Sequence, residues 1–125
     1  MKKKSLLFTL CIMLLTVCIL CNSCGAPSFE ESCTELKERI NKTGKFNCTY
    51  EITEANLSQV LIVTERASGD MISPEAVASL VAKEFRNYFS ADFEELFGEI
   101  EEDCCIIYRV ILNGKTYYNE VVWSN

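Results

Sequence analysis

The sequence predicts an α+β fold, in which two or three helices pack on one face of a four-stranded antiparallel sheet in the order α-β-β-α-β-β. Three features predict it: two stretches with apolar residues at helical spacing, a run that alternates between apolar and polar residues, and an Asn-Gly pair between two strand-like runs. Helices and strands grouped in this way are typical of two-layer domains with a single core.

The first helix is predicted over residues 28–41. Ser28 followed by Glu31 forms a capping box, because each side chain can bond the other residue's backbone N–H. The apolar residues of this stretch recur on one helical face, and Gly44 lies where the helix should end.

Two strands are predicted next, and they form the first hairpin. Residues 45–53 alternate between apolar and polar side chains, which indicates a half-buried strand. A polar turn at 54–56 leads to a second strand over 57–65. The middle of that strand, residues 60–63, is apolar on both faces, so we expect it at the centre of the sheet.

The second helix is predicted to begin at Ser73-Pro74, with the serine as N-cap and the proline in the first turn. A separate short helix is expected from Asp92 onwards. The acidic run from Glu99 to Asp103 is interpreted as the solvated end of this helix, since it lacks the spaced ligands and the glycine of a calcium loop.

A second hairpin is predicted around Asn113-Gly114, the pair that favours a tight two-residue turn. A regular ladder from this turn pairs Leu112 with Lys115, Val110 with Tyr117, Tyr108 with Asn119, Ile106 with Val121 and Cys104 with Trp123. Alternation along the strands then places five candidate partner-binding residues on the outer face, with Arg109 beside Tyr118 and near Glu120: Ile107, Arg109, Ile111, Tyr118 and Glu120.

The first 23 residues have the features of an export signal. Three lysines at 2–4 precede an uncharged apolar run from Ser5 to Cys21. Cys24, between a serine and a glycine, resembles the cleavage site of bacterial lipoprotein precursors. That resemblance covers residues 1–24, and it implies that Cys24 becomes the lipid-modified first residue of the mature chain.

The resulting organisation is a signal peptide at 1–23, a short tether at 24–28 and a single domain at 29–125. A lipid anchor would hold the domain at a membrane surface on the outer side of the cell membrane. Two alternatives stay open: cleavage near residues 23–26 followed by free secretion, and an uncleaved apolar segment that serves as a membrane anchor.

Three Asn-x-Ser/Thr triplets begin at Asn41, Asn47 and Asn56. They are acceptor sites for N-glycosylation if the chain passes through a eukaryotic secretory pathway. The triplet is short enough to arise by chance, so it does not by itself decide the source.

The composition excludes several functions. Without the signal peptide, the net charge falls from −6 to about −9, which disfavours nucleic acid as a partner. The chain has no His, so Ser-His and Cys-His nucleophile pairs and His-based metal sites are excluded. The five glycines are scattered and form no phosphate loop. We therefore predict a protein without catalytic residues, cofactor or metal.

The cysteines of the domain predict disulfide chemistry in an oxidising compartment. Cys33, Cys48 and Cys104 are all expected to face the core, and each of the three possible pairs among them is open. Cys105 is expected on the outer face as a small apolar side chain, with pairing to another molecule as the alternative.

These observations predict an exported, lipid-anchored binding module of the cell envelope, with an unknown protein or peptide as partner. Alternatives are a freely secreted, disulfide-stabilised protein similar in parts to cystatin-like inhibitors, a purely structural envelope component, and an enzyme that uses thiols or carboxylates. The inhibitory Gln-x-Val-x-Gly motif of cystatins is absent, so no functional residue follows from that comparison.

Overall fold

The computed structural model describes residues 27–125. They form, in chain order, α1 (Phe29–Thr43), β1 (Cys48–Ala55), β2 (Ser58–Ala67), α2 (Pro74–Phe97), β3 (Cys104–Leu112) and β4 (Lys115–Ser124). The predicted signal peptide, Cys24 and the beginning of the tether lie outside the described residues. No helix of residues 27–125 has the length and apolarity needed to cross a membrane.

The predicted caps form at both helices. The Ser28 hydroxyl accepts a hydrogen bond from the backbone N–H of Glu31, and Gly44 ends α1 in the left-handed conformation, with φ 66°. The Ser73 hydroxyl caps α2 in the same way, through the N–H of Ala76. Local sequence therefore determines where both helices begin.

The first hairpin has a tighter turn than the predicted 54–56 segment. β1 runs to Ala55, β2 begins at Ser58, and Asn56 and Leu57 alone make the turn, both with positive φ. Two successive residues with positive φ match the twist of the flanking strands. The sequence did not predict that β1 extends to Ala55, because the last residues of the strand are exposed on both faces and show no alternation of apolar and polar side chains.

α2 is one continuous helix of 24 residues, so the separate short helix predicted from Asp92 is wrong. The buried residues Phe85, Phe89, Phe93 and Phe97 recur every four positions and keep one face against the core across the predicted break. No glycine or proline interrupts the stretch between Pro74 and Phe97.

The sheet is mixed, and the prediction of a fully antiparallel sheet is wrong. Its strand order is β1-β2-β3-β4, with antiparallel outer pairs and a parallel central pair, β2 with β3. The continuous α2 is the reason. Its length of roughly 36 Å matches the roughly 33 Å of β2, so it carries the chain back to the end where β2 began. β3 then starts beside the start of β2, which makes the pair parallel.

The second hairpin turns at Asn113-Gly114 as predicted, and Leu112 pairs with Lys115. The regular ladder beyond that pair is wrong, because β4 contains two irregularities. Val110 lies opposite Tyr118 and Ile106 opposite Trp123, while Tyr117 and Val122 are the extra residues. Each bulge turns two consecutive side chains of β4 towards the core, Tyr117 with Tyr118 and Val122 with Trp123.

The core lies between the two helices and one face of the sheet. Tyr108 is at its centre, stacked on Phe85 with ring centroids 3.9 Å apart. Phe29 of α1 meets Phe97 of α2 edge to face, which joins the helices at one end of the domain. The Ser32 hydroxyl also donates to the backbone oxygen of Leu96 at 2.6 Å.

Candidate partner-binding face

The outer face of the sheet is the surface that points away from both helices. We define it by the side chains that alternate with the core residues of β2 and β3, together with one residue of β4: Val60, Ile62, Thr64, Cys105, Ile107, Arg109, Ile111 and Val121. None of them belongs to the core cluster between the helices and the sheet or packs against it. Val60 and Thr64 are nevertheless almost fully buried, with 4% and 6% of their surface exposed, so the other six residues supply the accessible area. No helix within residues 27–125 covers this face.

The strand register makes the outer face continuous. The parallel pairing sets Val60 beside Cys105, Ile62 beside Ile107 and Thr64 beside Arg109. On the other side of β3, Val121 pairs with Ile107. The centre of the face is therefore apolar and rich in β-branched residues, which hold few rotamers and lose little entropy on contact with a partner.

Three of the five predicted partner-binding residues share this face, Ile107, Arg109 and Ile111, and each is half-buried. Arg109 lies opposite Asn119, and its Nε–H donates to Asn119 Oδ1 at 3.4 Å.

Tyr118 and Glu120 are not on the outer face, and the expected stacking of Arg109 on Tyr118 is wrong. Tyr118 lies opposite Val110, and its ring lies 6.3 Å from that of Tyr108 in the core. Glu120 lies opposite Tyr108 and is exposed at the edge. The bulge at Tyr117 moves both residues to the other face, because one added residue reverses the alternation.

Sequence reasoning missed four members of the outer face, Val60, Ile62, Thr64 and Val121. Val60 and Ile62 belong to a strand that was predicted as buried on both sides, and their parallel pairing with β3 was not foreseen. Val121 was assigned to the core face by the regular ladder. The bulges responsible leave no local signal, since Tyr117 and Val122 fit a strand as well as their neighbours do.

All four cysteines in the described part of the chain are thiols. Cys33 and Cys104 are buried in the core, and Cys105 is half-buried on the outer face, as predicted. Cys48 donates from its Sγ to Glu65 Oε2 at 3.0 Å, and the same carboxylate accepts from the N–H of Asn47 at 3.0 Å. The buried Glu65 is thus bonded at both oxygens.

Burial raises the pKa of every one of these thiols. For Cys33 it raises the pKa to about 12, with a further contribution from Cys104. For Cys48 the raised pKa reflects burial first and then the bond to the Glu65 carboxylate. The pKa values of Cys104 and Cys105 are also raised by burial. Thiols in this state are protonated at neutral pH and are poor nucleophiles.

Few charged groups come together in positions that suit catalysis or metal binding. Within residues 27–125, no three side chains of the metal-binding types are grouped closely enough to hold an ion. Arg39 of α1 contacts three carboxylates, Glu35, Asp92 and Glu95, and the last two belong to α2. Its hydrogen bond lowers the pKa of Glu95. This cluster joins two helices on the surface.

The three Asn-x-Ser/Thr sites lie in different surroundings. Asn56 is exposed in the turn between β1 and β2. The Asn41 side chain accepts a hydrogen bond from the Tyr50 hydroxyl, and the Asn47 side chain donates to the backbone oxygen of Arg66. The amide nitrogens of Asn41 and Asn56 are therefore free of hydrogen bonds to the described residues, whereas that of Asn47 is not.

The fold and this face define the class: a small α+β domain with a mixed four-stranded sheet, two helices on one side and an apolar strip on the other. The chain matches no known protein family, no curated protein and no solved structure. Its function is therefore argued from its own residues.

Proposed function

We propose that this protein is an exported binding module of the cell envelope, anchored by lipid at Cys24, that holds a protein or peptide partner on the outer face of its sheet. The observation that carries the binding role is the apolar strip across β2, β3 and β4. It is continuous over three strands, and neither helix uses it for the core.

The composition of the outer face supports a protein partner. Ile62, Ile107, Ile111 and Val121 supply apolar area, and Arg109 supplies a planar charged group of the kind enriched at interface hot spots. Polar side chains of the edge strands border the strip, among them Thr49, Glu51, Thr116 and Asn119. An apolar centre with a polar rim is the usual arrangement of a protein interface.

The thiols support a role without covalent catalysis. A nucleophilic cysteine needs a lowered pKa and a neighbouring base or positive charge. Cys48 instead bonds a carboxylate, and burial raises the pKa values of all four described thiols.

The anchor is tested by the mass of the protein purified from its native envelope fraction. A mature chain that begins at Cys24 and carries two or three acyl chains is the expected result. An unmodified start near Ala26 with a glycan on Asn56 would overturn the anchor. That result would instead support the secreted, inhibitor-like alternative, since Asn56 is an exposed acceptor.

The binding face is tested by replacing one cross-strand pair, Ile107→Thr with Val121→Thr. Threonine retains the β-branched shape that suits a strand but removes apolar contact area. We expect at least a tenfold loss of affinity for the partner captured from envelope extract by the unaltered protein. Ile72→Thr is the matched control, because Ile72 is fully exposed and lies outside the outer face.

The far-UV and near-UV circular dichroism of the double variant should equal that of the unaltered protein, which shows that the fold is retained. If the correctly folded double variant captures the same partner with the same affinity, the outer face is not the binding surface. Equal losses in the double variant and in Ile72→Thr would contradict the proposal as well.

A further inference from the structure

We infer that Cys33 and Cys104, which are thiols in this structure, form the disulfide of this domain when the chain is oxidised, and that Cys48 and Cys105 stay thiols. The inference rests on the proposed function in one respect, since export is what would expose the chain to an oxidising compartment. The register of the strands and the surroundings of α1 identify the pair.

Cys48 and Cys104 are too far apart to bond. Cys48 pairs with Glu65 at one end of β2, and Cys104 pairs with Gln59 at the other end. Those partners are six residue steps apart, which span roughly 20 Å of strand. A disulfide needs Cα atoms within about 7 Å of each other.

Cys33 lies at the same end of the domain as Cys104. Phe29, one helical turn before Cys33, borders a surface hollow together with Gln59 and Ile100. Gln59 is the residue that pairs with Cys104. Phe29 and Cys104 therefore both lie near Gln59, at the same end of β2.

A second hollow places Cys33 against the sheet. Its walls include Cys33 and Leu61. Leu61 is two residues beyond Gln59 on β2, a step of roughly 7 Å. Cys33 and Cys104 are both almost fully buried, with 4% and 2% of their surface exposed, and both belong to the same core cluster. The proximity of Cys104 also contributes to the raised pKa of Cys33.

Tyr50 and Ile52 of β1 also border the hollow at Cys33, and Ile52 pairs with Leu61 there. Cys48 lies four residues before Ile52, a distance of roughly 13 Å along the strand. The Tyr50 hydroxyl reaches Asn41, which is eight residues, or roughly 12 Å, beyond Cys33 in the helix. Cys48 continues in that direction, since it pairs with Glu65 beyond the Tyr50–Val63 pair. Its Sγ already donates to the Glu65 carboxylate.

The chemistry is thiol–disulfide exchange with a disulfide donor, such as oxidised glutathione or an oxidoreductase of the envelope. One thiolate attacks the donor to form a mixed disulfide and releases one donor thiol. The second thiolate then displaces the other donor thiol as the Cys33–Cys104 bond forms. Two cysteine thiols are oxidised and one donor disulfide is reduced to two thiols. Since both side chains are buried, the exchange takes place before α1 closes over the sheet.

The test is refolding of the full chain from denaturant in a mixture of reduced and oxidised glutathione, followed by alkylation of free thiols. A protease that cleaves after Glu releases Cys33 in peptide 32–35, Cys48 in peptide 39–51 and Cys104 with Cys105 in peptide 103–120. We expect peptide 32–35 joined to peptide 103–120, two hydrogens lighter than the sum of the two, and an alkylated Cys48.

Two variants decide which cysteine of peptide 103–120 takes part. Cys105→Ser should keep the linked peptide, and Cys104→Ser should abolish it. A linked peptide that joins Cys33 to Cys48, or full alkylation of Cys33 and Cys104 in a chain with native circular dichroism, would overturn the inference.

Refolding in vitro also separates this inference from the proposed function. A chain that links Cys33 to Cys104 in vitro, but is recovered from cells unlipidated and reduced, would overturn export and leave the pair standing. A chain that is lipidated at Cys24 and yet forms no such link in vitro would overturn the pair alone.

Discussion

Tyr108 lies in the centre of the core with its ring stacked on Phe85. Its hydroxyl is buried and has no hydrogen-bond partner among residues 27–125. Burial raises the pKa of this hydroxyl, so it remains protonated over the working pH range. A buried donor without a partner reduces stability, because it gives up its bonds to water on folding.

We therefore expect Tyr108→Phe to raise the free energy of unfolding by about 1 kcal/mol, since the ring stays and the unpaired hydroxyl is removed. Urea unfolding followed by circular dichroism measures this. Tyr118→Phe is the control, because Tyr118 is partly exposed and should change stability by less than about 0.5 kcal/mol. A clear loss of stability in Tyr108→Phe would mean that a partner satisfies the hydroxyl.

Leu57 has a backbone conformation that is unfavourable for a residue with a side chain. It is 100% exposed and has φ 67° in the turn between β1 and β2. A residue with a Cβ is disfavoured there, whereas glycine is not. We expect Leu57→Gly to raise the free energy of unfolding by about 0.5–1 kcal/mol.

Leu57→Ala separates the backbone effect from the loss of the side chain. Like the glycine variant, it removes the exposed atoms beyond the Cβ, but it keeps the Cβ itself. We therefore expect its free energy of unfolding to differ little from that of the unaltered protein. If the glycine and alanine variants have equal urea midpoints, the positive φ of Leu57 does not cost stability.

The residue scale also shows where sequence patterns were informative. Ser28, Gly44, Ser73, Asn113 and Gly114 all have the predicted roles in caps and turns, because these depend on neighbours within four residues. The partners of Tyr118 and Glu120 were predicted wrongly, because they depend on the position of a bulge in a strand where every residue has a similar propensity.

At the scale of elements, Arg39 joins the two helices. Its Nη1 lies 2.6 Å from Asp92 Oδ1, and both side chains are about a quarter exposed. An ion pair at this degree of exposure contributes modestly and is screened by salt.

A double-mutant cycle with Arg39→Gln and Asp92→Asn should give a coupling energy of about 0.5–1 kcal/mol at low salt, falling towards zero in about 1 M salt. Lys37 provides the control, since it lies over the Tyr50 ring instead. The cycle of Lys37→Gln with Asp92→Asn should show no coupling. Equal coupling in both cycles would indicate a general charge effect.

The elements also explain why the sheet was predicted as antiparallel. A break in the helix at Asp92 would return the chain to the end of the sheet where β2 finishes. β3 would then pair with β2 in the antiparallel direction. The four phenylalanines of α2 keep the helix continuous through this point, and the chain reaches the opposite end. One error in helix length therefore produced the error in strand direction.

At the scale of the whole molecule, residues 27–125 contain a contiguous core whose buried members run from Phe29 to Leu112. We expect residues 27–125 to fold without residues 1–26 and to unfold in one cooperative transition. The single Trp, Trp123, packs 5.8 Å from Phe97 and reports the docking of β4 by fluorescence. Its urea transition should coincide with that of far-UV circular dichroism. Separate midpoints, or a midpoint far below that of the full chain, would contradict a self-sufficient domain.

The sequence by itself determined the α+β class, the caps, the turn of the second hairpin and the central place of β2, since each depends on local spacing or on a long apolar run. It also suggests export and excludes histidine chemistry. The tertiary structure decided the direction of β3 and the composition of the outer face. Those features depend on which distant segments pack together, and packing is set by the continuous α2 and the two bulges of β4 rather than by any local pattern.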